Sequence, residues 1–397
     1  MRNEAQSLQK KAMSFALFSA AIMVFLSFVL FTSRCALSEL RVGGIVSESG
    51  AAEPYGTMIK KGMDLAVEEV NASGGVDGRK MVILYKDDAT NTDVGISAAK
   101  ELIVKERVPV IIGPISSSVS IAVAPICESY RKIMLSPASS TPKLSDAGIY
   151  IFRNYPSDVV EGTFTADFLR EQGIEKVVVI SVDNEFGNGI KEVFIRQFRS
   201  KFREVLKVFI YQENSFEAFP QIIQEAKDLK PEAVYICGYS NDMAHLLQEV
   251  KKQDLHAILY CVSAVNKKVI ETAGDAAEGI MFPQPAFDLE STEPVMATFI
   301  RAFRARYGID PDNFAAHGYD AVKLIAESVA KVKSSHPDDI RSGLMAINNY
   351  EGAAGRTTFD NNGDVVQHPR IFVIHKGKFV QFDSYIQKVG GIRIPGR

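Results

Sequence analysis

The chain has 397 residues, of which 46% are hydrophobic and 23% are charged, with a formal net charge of −3 and four cysteines. These proportions are ordinary for a globular protein and exclude a disordered or a collagen-like chain. At about 150 residues per domain, the length predicts two or three domains. The charge shows no basic excess of the kind that binds nucleic acid, and four cysteines are too few for a disulfide framework.

Residues 1–38 have the pattern of an export signal. Basic residues near the start precede an uncharged and largely apolar stretch from Ala12 to Ser33, and small residues follow it. This order of basic, apolar and small residues is typical of a signal peptide that is removed after export. We therefore predict cleavage after Ser38, which leaves a mature chain of 359 residues (397 − 38).

Two alternatives for this segment stay open. The uncharged stretch has 22 residues (33 − 12 + 1), and about 20 apolar residues can span a bilayer, so it could remain as an uncleaved membrane anchor. Cys35 could instead carry a lipid, although Arg34 stands where lipoprotein signals have a small residue. All three readings place the rest of the chain outside the cytoplasm.

Short apolar strands alternate with amphipathic helices from Leu40 onward. The predicted strands are Leu40–Val46, Met81–Tyr85, Pro109–Ile112, Ile133–Leu135, Lys176–Ser181, Leu206–Tyr211, Ala233–Ile236, Ala257–Cys261 and Gly279–Phe282. The predicted helices between them are Gly56–Asn71, Asp93–Glu106, Ser117–Tyr130, Asp158–Glu171, Phe186–Phe202, Pro220–Leu229 and Asn241–Gln253. This alternation is typical of parallel sheets with crossover helices, so we predict an α/β fold. The run Val177–Ile180 is apolar without alternation, which predicts a strand that is buried on both faces.

The pattern changes around Pro294. Helices follow with little strand between them, at Val295–Tyr307, Asn313–Lys333 and Pro337–Ile347. Strand patterns return near the end of the chain, at Thr357–Phe359, Ile371–Ile374 and Lys378–Phe382.

Motifs of enzyme chemistry are absent from the sequence. Neither a glycine-rich phosphate loop nor the nucleophile elbow G-x-S-x-G occurs. None of the six histidines stands at metal-ligand spacing from another His or Cys. The adjacent acids Asp87 and Asp88 fit a cap on the following turn better than a metal site, because neighbouring side chains on a strand point to opposite faces. We therefore predict no enzyme activity, no metal and no cofactor.

Cys237 and Cys261 end two strands that are consecutive in the sequence. If these strands are neighbours in the sheet, the two thiols could form a disulfide. Two buried free thiols are the alternative.

Hydroxyl side chains follow two of the early strands. Strand 109–112 leads into Gly113–Ser118 at the start of a helix, and strand 133–135 leads into Ser136–Pro142. Ligands of open α/β sheets bind outside the carboxyl ends of the strands. Backbone N–H groups and hydroxyls at a helix N-terminus favour an anion such as a carboxylate, although simple N-capping by serine explains the first loop as well.

Aromatic side chains follow two of the later strands. Phe186 comes after strand 176–181, and Tyr239 comes after strand 233–236. A polar wall from one half and aromatic rings from the other fit a small ligand with one anionic end.

Several stretches, in this order and at this spacing, resemble one family. The chain resembles the branched-chain amino-acid-binding proteins of ABC importers over roughly Leu40 to Phe382. The stretches that carry the resemblance are 69–78 (EVNASGGVDG), 111–117 (IIGPISS), 136–142 (SPASSTP), 152–154 (FRN), 274–279 (GDAAEG) and 318–322 (GYDAV).

The resemblance implies the type 1 periplasmic-binding fold, in which a three-segment hinge joins two doubly wound parallel-sheet lobes. We place the hinge segments near Pro156–Asp158, Pro283–Phe287 and Val366–Arg370. Lobe 1 would then comprise residues 39–157 and 286–366. Lobe 2 would comprise residues 158–285 and 367–397.

The resemblance also implies which residues hold the ligand. The family's carboxylate and amine contacts fall on Ser117, Ala138 and Ser140, where Ser140 replaces the usual threonine but keeps a hydroxyl.

Tyr55, Phe186 and Tyr239 fall where the family has aromatic walls. Phe186 keeps the ring of a common tyrosine and loses its hydroxyl.

One departure from the family concerns the ligand's amino group. Amino-acid binders of this family have an acid on the loop after strand 257–261, but here the loop Val262–Asn266 has none. A buried ammonium without a counter-charge would cost several kcal/mol, roughly. Either the ligand lacks an α-amino group, or another carboxylate serves.

The implied function is that of a periplasmic solute-binding subunit that delivers a small-molecule ligand to an ABC permease in the inner membrane, with no nucleic-acid partner and as a monomer. Relatives of the fold bind amino acids, amides, urea or aromatic acids, so the ligand class stays open. A ligand-sensing ectodomain that delivers to a membrane receptor is the alternative function.

The export signal makes a direct prediction. We expect the native protein to begin near residue 39, since the segment before it has the pattern of a removed signal. Intact-mass spectrometry measures this, and a chain that starts at Met1 in the membrane fraction would favour the anchor.

Overall fold

A computed structural model describes residues 39–200, 202–285 and 287–389. The predicted export signal and its alternatives fall on residues 1–38, outside the described residues. Within the described ranges, every helix is too short or too polar to span a bilayer.

The chain alternates strands and helices as the sequence predicts. In chain order, the strands are β1 (Leu40–Val46), β2 (Met81–Asp87), β3 (Val110–Ile112), β4 (Ile133–Ser136), β5 (Ile151–Arg153), β6 (Lys176–Val182), β7 (Glu204–Tyr211), β8 (Ala233–Cys237), β9 (Ile258–Cys261), β10 (Met281–Gln284), β11 (Tyr350–Gly352), β12 (Gly355–Thr357), β13 (Arg370–His375) and β14 (Lys378–Gln381). The helices are α1 (Glu53–Ala72), α2 (Thr92–Lys100), α3 (Ser117–Ser129), α4 (Asp158–Glu171), α5 (Glu185–Arg199), α6 (Phe219–Asp228), α7 (Ser240–Lys252), α8 (Lys267–Ala273), α9 (Pro294–Tyr307), α10 (Asn313–Val332), α11 (Pro337–Met345) and α12 (Phe382–Val389).

Two sheets form the centres of two lobes. The first has the order β2-β1-β3-β4-β5, and all its neighbours are parallel. The second has the order β14-β13-β10-β9-β8-β6-β7, and β6 to β10 are parallel. In each sheet the second strand of the chain lies on one side of the first strand and the later strands lie on its other side, as in doubly wound folds. The first strands are β1 and β6. The predicted α/β class with two parallel-sheet lobes is confirmed.

The structure differs from the sequence prediction at several short elements. The edge strands β13 and β14 pair antiparallel, which the alternation of strands and helices did not indicate. The strands β5 and β11 and the helix α8 were missed, because three to seven residues show too little periodicity. The last predicted strand ends at Gln381, and Phe382 begins α12.

The apolar run in β6 lies in a strand that has a neighbour on each side. Val177, Val178, Val179 and Ile180 are each fully buried, since β7 and β8 flank the strand and helices cover both faces. This confirms the prediction of a strand that is buried on both faces.

The chain passes between the two sheets three times. It leaves β5 at Arg153 for α4, leaves β10 at Gln284 for α9, and enters β13 at Arg370. The sequence analysis places the three hinge segments at these passages, and rotation of the lobes about them stays a prediction.

Arg153 holds the end of β5 in place. Its guanidinium is fully buried and pairs with Asp364 at 2.6 Å, and it donates to the Thr141 carbonyl oxygen and the Ser145 hydroxyl, both at 2.7 Å. Because removing one partner of a buried ion pair leaves an uncompensated charge, the loop that follows β4 depends on this arginine.

The cysteines allow a test of whether Cys237 and Cys261 form a disulfide or remain free thiols. Cys127, Cys237 and Cys261 are buried and unbonded, and burial raises the pKa of Cys127 and Cys261 to about 12. We expect no reaction with a thiol reagent in the folded mature chain and full reaction of all three in denaturant. Reaction of a single thiol in denaturant would show that Cys237 and Cys261 are bonded.

A candidate ligand-binding cleft

A cavity of about 400 Å³ lies between the loops at the carboxyl ends of the two sheets. The structure brings all six sequence-predicted site residues to its wall, namely Tyr55, Ser117, Ala138, Ser140, Phe186 and Tyr239. The wall also includes Ala52, Ile115, Ser116, Tyr155, Ser263, Ala264 and Phe314. Small-ligand sites are concave and mostly apolar, with a few polar groups that converge on the ligand, and the lining of this cavity has that character.

The N-terminus of α3 forms one polar end of the cavity. Ser116 is the N-cap residue, and its hydroxyl oxygen accepts the N–H of Val119 at 3.3 Å. Ser117 is only 3% exposed, and its hydroxyl has just a long contact of 3.5 Å with the Ser139 hydroxyl. Capping therefore falls to Ser116, and the Ser117 hydroxyl stays available at the cavity.

The loop after β4 forms the adjoining part of the polar wall. The Ser136 hydroxyl donates to the Pro114 carbonyl oxygen at 2.6 Å and accepts the N–H of Ser139 at 3.0 Å. The Ser140 carbonyl oxygen accepts the N–H of Asp158 at 2.8 Å. These bonds tie the two hydroxyl loops to each other and to the start of α4, so that Ala138 and Ser140 are held against the cavity.

Aromatic rings close the opposite side. Phe186, at the start of α5, stacks on Tyr239 with a centroid distance of 5.6 Å and an interplanar angle of 16°. Tyr55, on α1, approaches Tyr239 at 5.9 Å and Phe314 at 4.8 Å. Stacked and edge-on rings of this kind give a rigid apolar surface at low cost in side-chain entropy.

The Tyr55 hydroxyl joins the two lobes. It donates to the Ala264 carbonyl oxygen at 3.0 Å and accepts the N–H and the hydroxyl of Ser240 at 2.8 and 2.6 Å. Tyr55 follows β1 of the first sheet, whereas Ala264 and Ser240 follow β9 and β8 of the second. Burial raises the pKa of Tyr55, so the hydroxyl stays neutral and keeps its donor.

A second contact between the lobes lies at the N-terminus of α5. The Glu185 carboxylate accepts from the Thr141 hydroxyl at 3.0 Å and from Lys143 Nζ at 2.9 Å. The Glu185 N–H donates to the Ser118 hydroxyl at 3.3 Å. Because Lys143 is mostly exposed, this ion pair adds little to stability, but it favours one relative placement of the lobes.

Two buried acids lie in the first turn of α4, and one of them contacts the loop Val262–Asn266. Glu161 Oε1 accepts the N–H of Ser263 at 2.8 Å, and burial raises the pKa of Glu161 to about 7. Asp158, one helical turn away, is fully buried, and burial together with the Glu161 charge raises its pKa well above the ordinary value. The sequence analysis missed Glu161 as a site residue, although an acid on the otherwise buried face of α4 was a usable signal.

Tyr155 and Phe314 were also missed. Their rings stack with a centroid distance of 5.7 Å and an interplanar angle of 8°, and the Tyr155 hydroxyl donates to the Ser263 hydroxyl at 3.2 Å. Tyr155 directly precedes Pro156 in a predicted hinge segment, which was a weak signal. Phe314 comes from a helix far along the chain, and nothing in its local sequence marks it.

The paired acids at the end of β2 cap the turn that follows, whereas Asn91 is the N-cap residue of α2. Asp87 accepts the N–H of Ala89 at 2.9 Å, and Asp88 accepts the Ser47 hydroxyl at 2.7 Å and the Thr90 N–H at 2.9 Å. In the part of the chain that the structure describes, no group of three or more His, Cys, Asp or Glu side chains is placed to hold a metal ion.

Two facing α/β lobes with an enclosed cleft between them define a solute-binding protein of the periplasmic type. Residues 39–378 match the model of the family described as "Periplasmic binding protein", and the chain belongs to this family. The resemblance seen in the sequence is thereby confirmed.

Relatives and solved structures agree on the family and the fold. The chain is 27% identical over 351 residues to a leucine-, isoleucine-, valine-, threonine- and alanine-binding protein of Pseudomonas aeruginosa, covering 87% of this chain and 91% of that one. An ABC transporter substrate-binding protein of Desulfitobacterium hafniense in complex with Leu has 28% identity, a TM-score of 0.75 and coverage of 87% and 100%. A solute-binding protein of Rhodopseudomonas palustris in complex with benzoate has 22% identity, a TM-score of 0.80 and coverage of 87% and 96%.

The Tyr55 hydroxyl makes a local prediction. Tyr55→Phe keeps the ring but leaves the buried N–H of Ser240 without its partner, a loss of about 1–3 kcal/mol. We expect hydrogen exchange at the Ser240 amide to rise at least about fivefold in NMR measurements.

The Met243 amide is the internal control, because it donates to the Tyr239 carbonyl oxygen within α7 and should keep its rate. An unchanged rate at Ser240 would show that the hydroxyl does not join the lobes in solution.

Proposed function

We propose that this protein is the periplasmic solute-binding subunit of an ABC importer and delivers its ligand to an inner-membrane permease. The ligand is a small carboxylate-bearing molecule, either a branched-chain amino acid or a related organic acid or amide. The observation that carries the proposal is the cavity itself, because all six residues assigned by family resemblance line it. The subunit acts as a monomer and binds its ligand without chemical change.

The ligand carboxylate is assigned to the N-terminus of α3. The helix dipole favours a negative charge there by about 0.3–1 kcal/mol, and by about 2 kcal/mol where the site is partly buried. The Ser117 and Ser140 hydroxyls and the backbone at Ala138 supply donors, and a hydrogen bond to a charged group contributes about 1.5–3 kcal/mol.

The ligand's apolar part is assigned to the aromatic side. Tyr55, Phe186 and Tyr239 enclose it from both lobes, so a ligand that fills the cavity contacts both lobes at once. A ligand shifts the equilibrium between an open and a closed state only as far as it binds one of them more tightly. Because contacts to both lobes are made together only when the lobes are closed, they favour the closed state. Closure therefore rotates residues 39–157 and 286–366 against residues 158–285 and 367–397.

The proposal is tested by calorimetric titration with L-leucine and with a set of small carboxylates and amides. For the ligand that binds, Ser117→Ala should weaken binding about tenfold or more, because losing a charge-assisted hydrogen bond exceeds about 1.4 kcal/mol.

Ser129→Ala is the matched control, since Ser129 is an exposed serine at the opposite end of α3 and its replacement should leave affinity unchanged. Equal affinities for the wild type and Ser117→Ala would contradict the carboxylate clamp. Turnover of the ligand, or no binding across the whole set, would contradict the function.

A further inference from the structure

The loop after β9 has no acid, yet a carboxyl group lies directly behind it. Glu161 is 5% exposed, and its Oε1 accepts the N–H of Ser263 at 2.8 Å. Ser263 itself lines the cavity. A carboxyl group therefore lies one residue behind the cavity wall, on α4 rather than on the loop.

Ser263 connects this carboxyl group to the cavity. Its backbone N–H donates to Glu161 Oε1 at 2.8 Å, and its hydroxyl accepts from the Tyr155 hydroxyl at 3.2 Å. A serine hydroxyl has one donor and two acceptor positions, so one acceptor position of Ser263 Oγ is unused. An unused acceptor position close to a carboxyl group suits the N–H of a cationic group, because a negative charge nearby favours the cation.

The surroundings of Glu161 lack a cation. Among residues 39–200, 202–285 and 287–389, no Lys, Arg or His forms an ion pair with it. Arg153, whose charge acts on Asp158, is held by Asp364 and the loop after β4. Five titratable groups face Glu161. Asp158 lies on the same helix and Tyr155 precedes it, Tyr235 and Cys237 lie on β8, and Tyr260 lies on β9.

We propose that Glu161, acting through Ser263, supplies the negative charge that pairs with the ammonium group of an α-amino-acid ligand. The inference rests on the proposed function and names the ligand class for the same cavity. The ligand carboxylate lies at Ser117 and its ammonium group donates to Ser263 Oγ. Glu161 is a positioning residue that replaces, from a different element, the acid that the loop lacks.

The arrangement makes amino-acid binding depend on pH. A cation beside Glu161 favours its ionised form, whereas burial in the free protein raises the pKa of Glu161 to about 7. Below that pH Glu161 is mostly protonated, so an amino-acid ligand must displace the proton of Glu161 in order to bind. Affinity for an amino acid is therefore full above about pH 7 and falls by up to about tenfold per pH unit below it. A ligand without an ammonium group gains nothing from the ionised form and shows no such fall.

The test compares L-leucine with 4-methylpentanoate, which is leucine without its amino group. Glu161→Gln removes the charge but keeps an acceptor for the Ser263 N–H. Glu171→Gln, at an exposed acid on the same helix, is the matched control. We expect Glu161→Gln to weaken L-leucine binding at least about tenfold above pH 7, to abolish its pH dependence, and to leave 4-methylpentanoate binding unchanged or tighter. Glu171→Gln should change neither.

Other outcomes overturn the inference. If Glu161→Gln lowers the affinity for both ligands equally, Glu161 only maintains the fold of the loop. If the affinity for L-leucine does not fall, the charge of Glu161 plays no part in binding. If the wild type binds 4-methylpentanoate but no α-amino acid, the inference fails while the solute-binding function stands. If the wild type binds no member of the full ligand set, the function fails first.

Discussion

The carboxyl ends of two parallel sheets face each other across one cleft, and the whole candidate site depends on this arrangement. Crossover connections in parallel sheets return each helix to the amino edge of the next strand, which leaves the loops after the strands free at one edge. The three passages at residues 154–157, 285–293 and 366–369 connect the two sheets so that these edges meet. Loops that are far apart in the sequence therefore become the two walls of one cavity.

Each wall has its own chemistry because each sheet ends in different residues. The first sheet contributes the hydroxyls of Ser117 and Ser140 and the N-terminus of α3, which suit an anion. The second sheet contributes the stacked rings of Phe186 and Tyr239. These side chains are buried, so hydrogen bonds among them are stronger and an unpaired polar group is more costly than in solvent. The Tyr55 hydroxyl meets this requirement by pairing with three groups across the cleft.

The family is one of solute-binding proteins, but the fold does not choose the ligand. Neighbours of the same fold are solved with leucine and with benzoate, which differ in whether the ligand has an ammonium group. Ser263 lies at the cavity wall, and Glu161 lies behind it, so these two residues bear on the ammonium group. A few side chains on the same fold can therefore determine whether a protein binds amino acids or organic acids.

Local patterns in the sequence were enough for the main elements and for the loops after β3, β4, β6 and β8, because hydrophobic periodicity and turn residues act over a few neighbouring positions. Family resemblance added Tyr55 and the assignment of roles. The three-residue β5, the antiparallel pairing of β13 and the stacking of Tyr155 on Phe314 arise only in the tertiary structure. The same holds for Glu161, whose place behind Ser263 depends on how α4 packs against β8 and β9. Such contacts join residues that are distant along the chain, and the packing of the completed core, rather than any local preference, decides them.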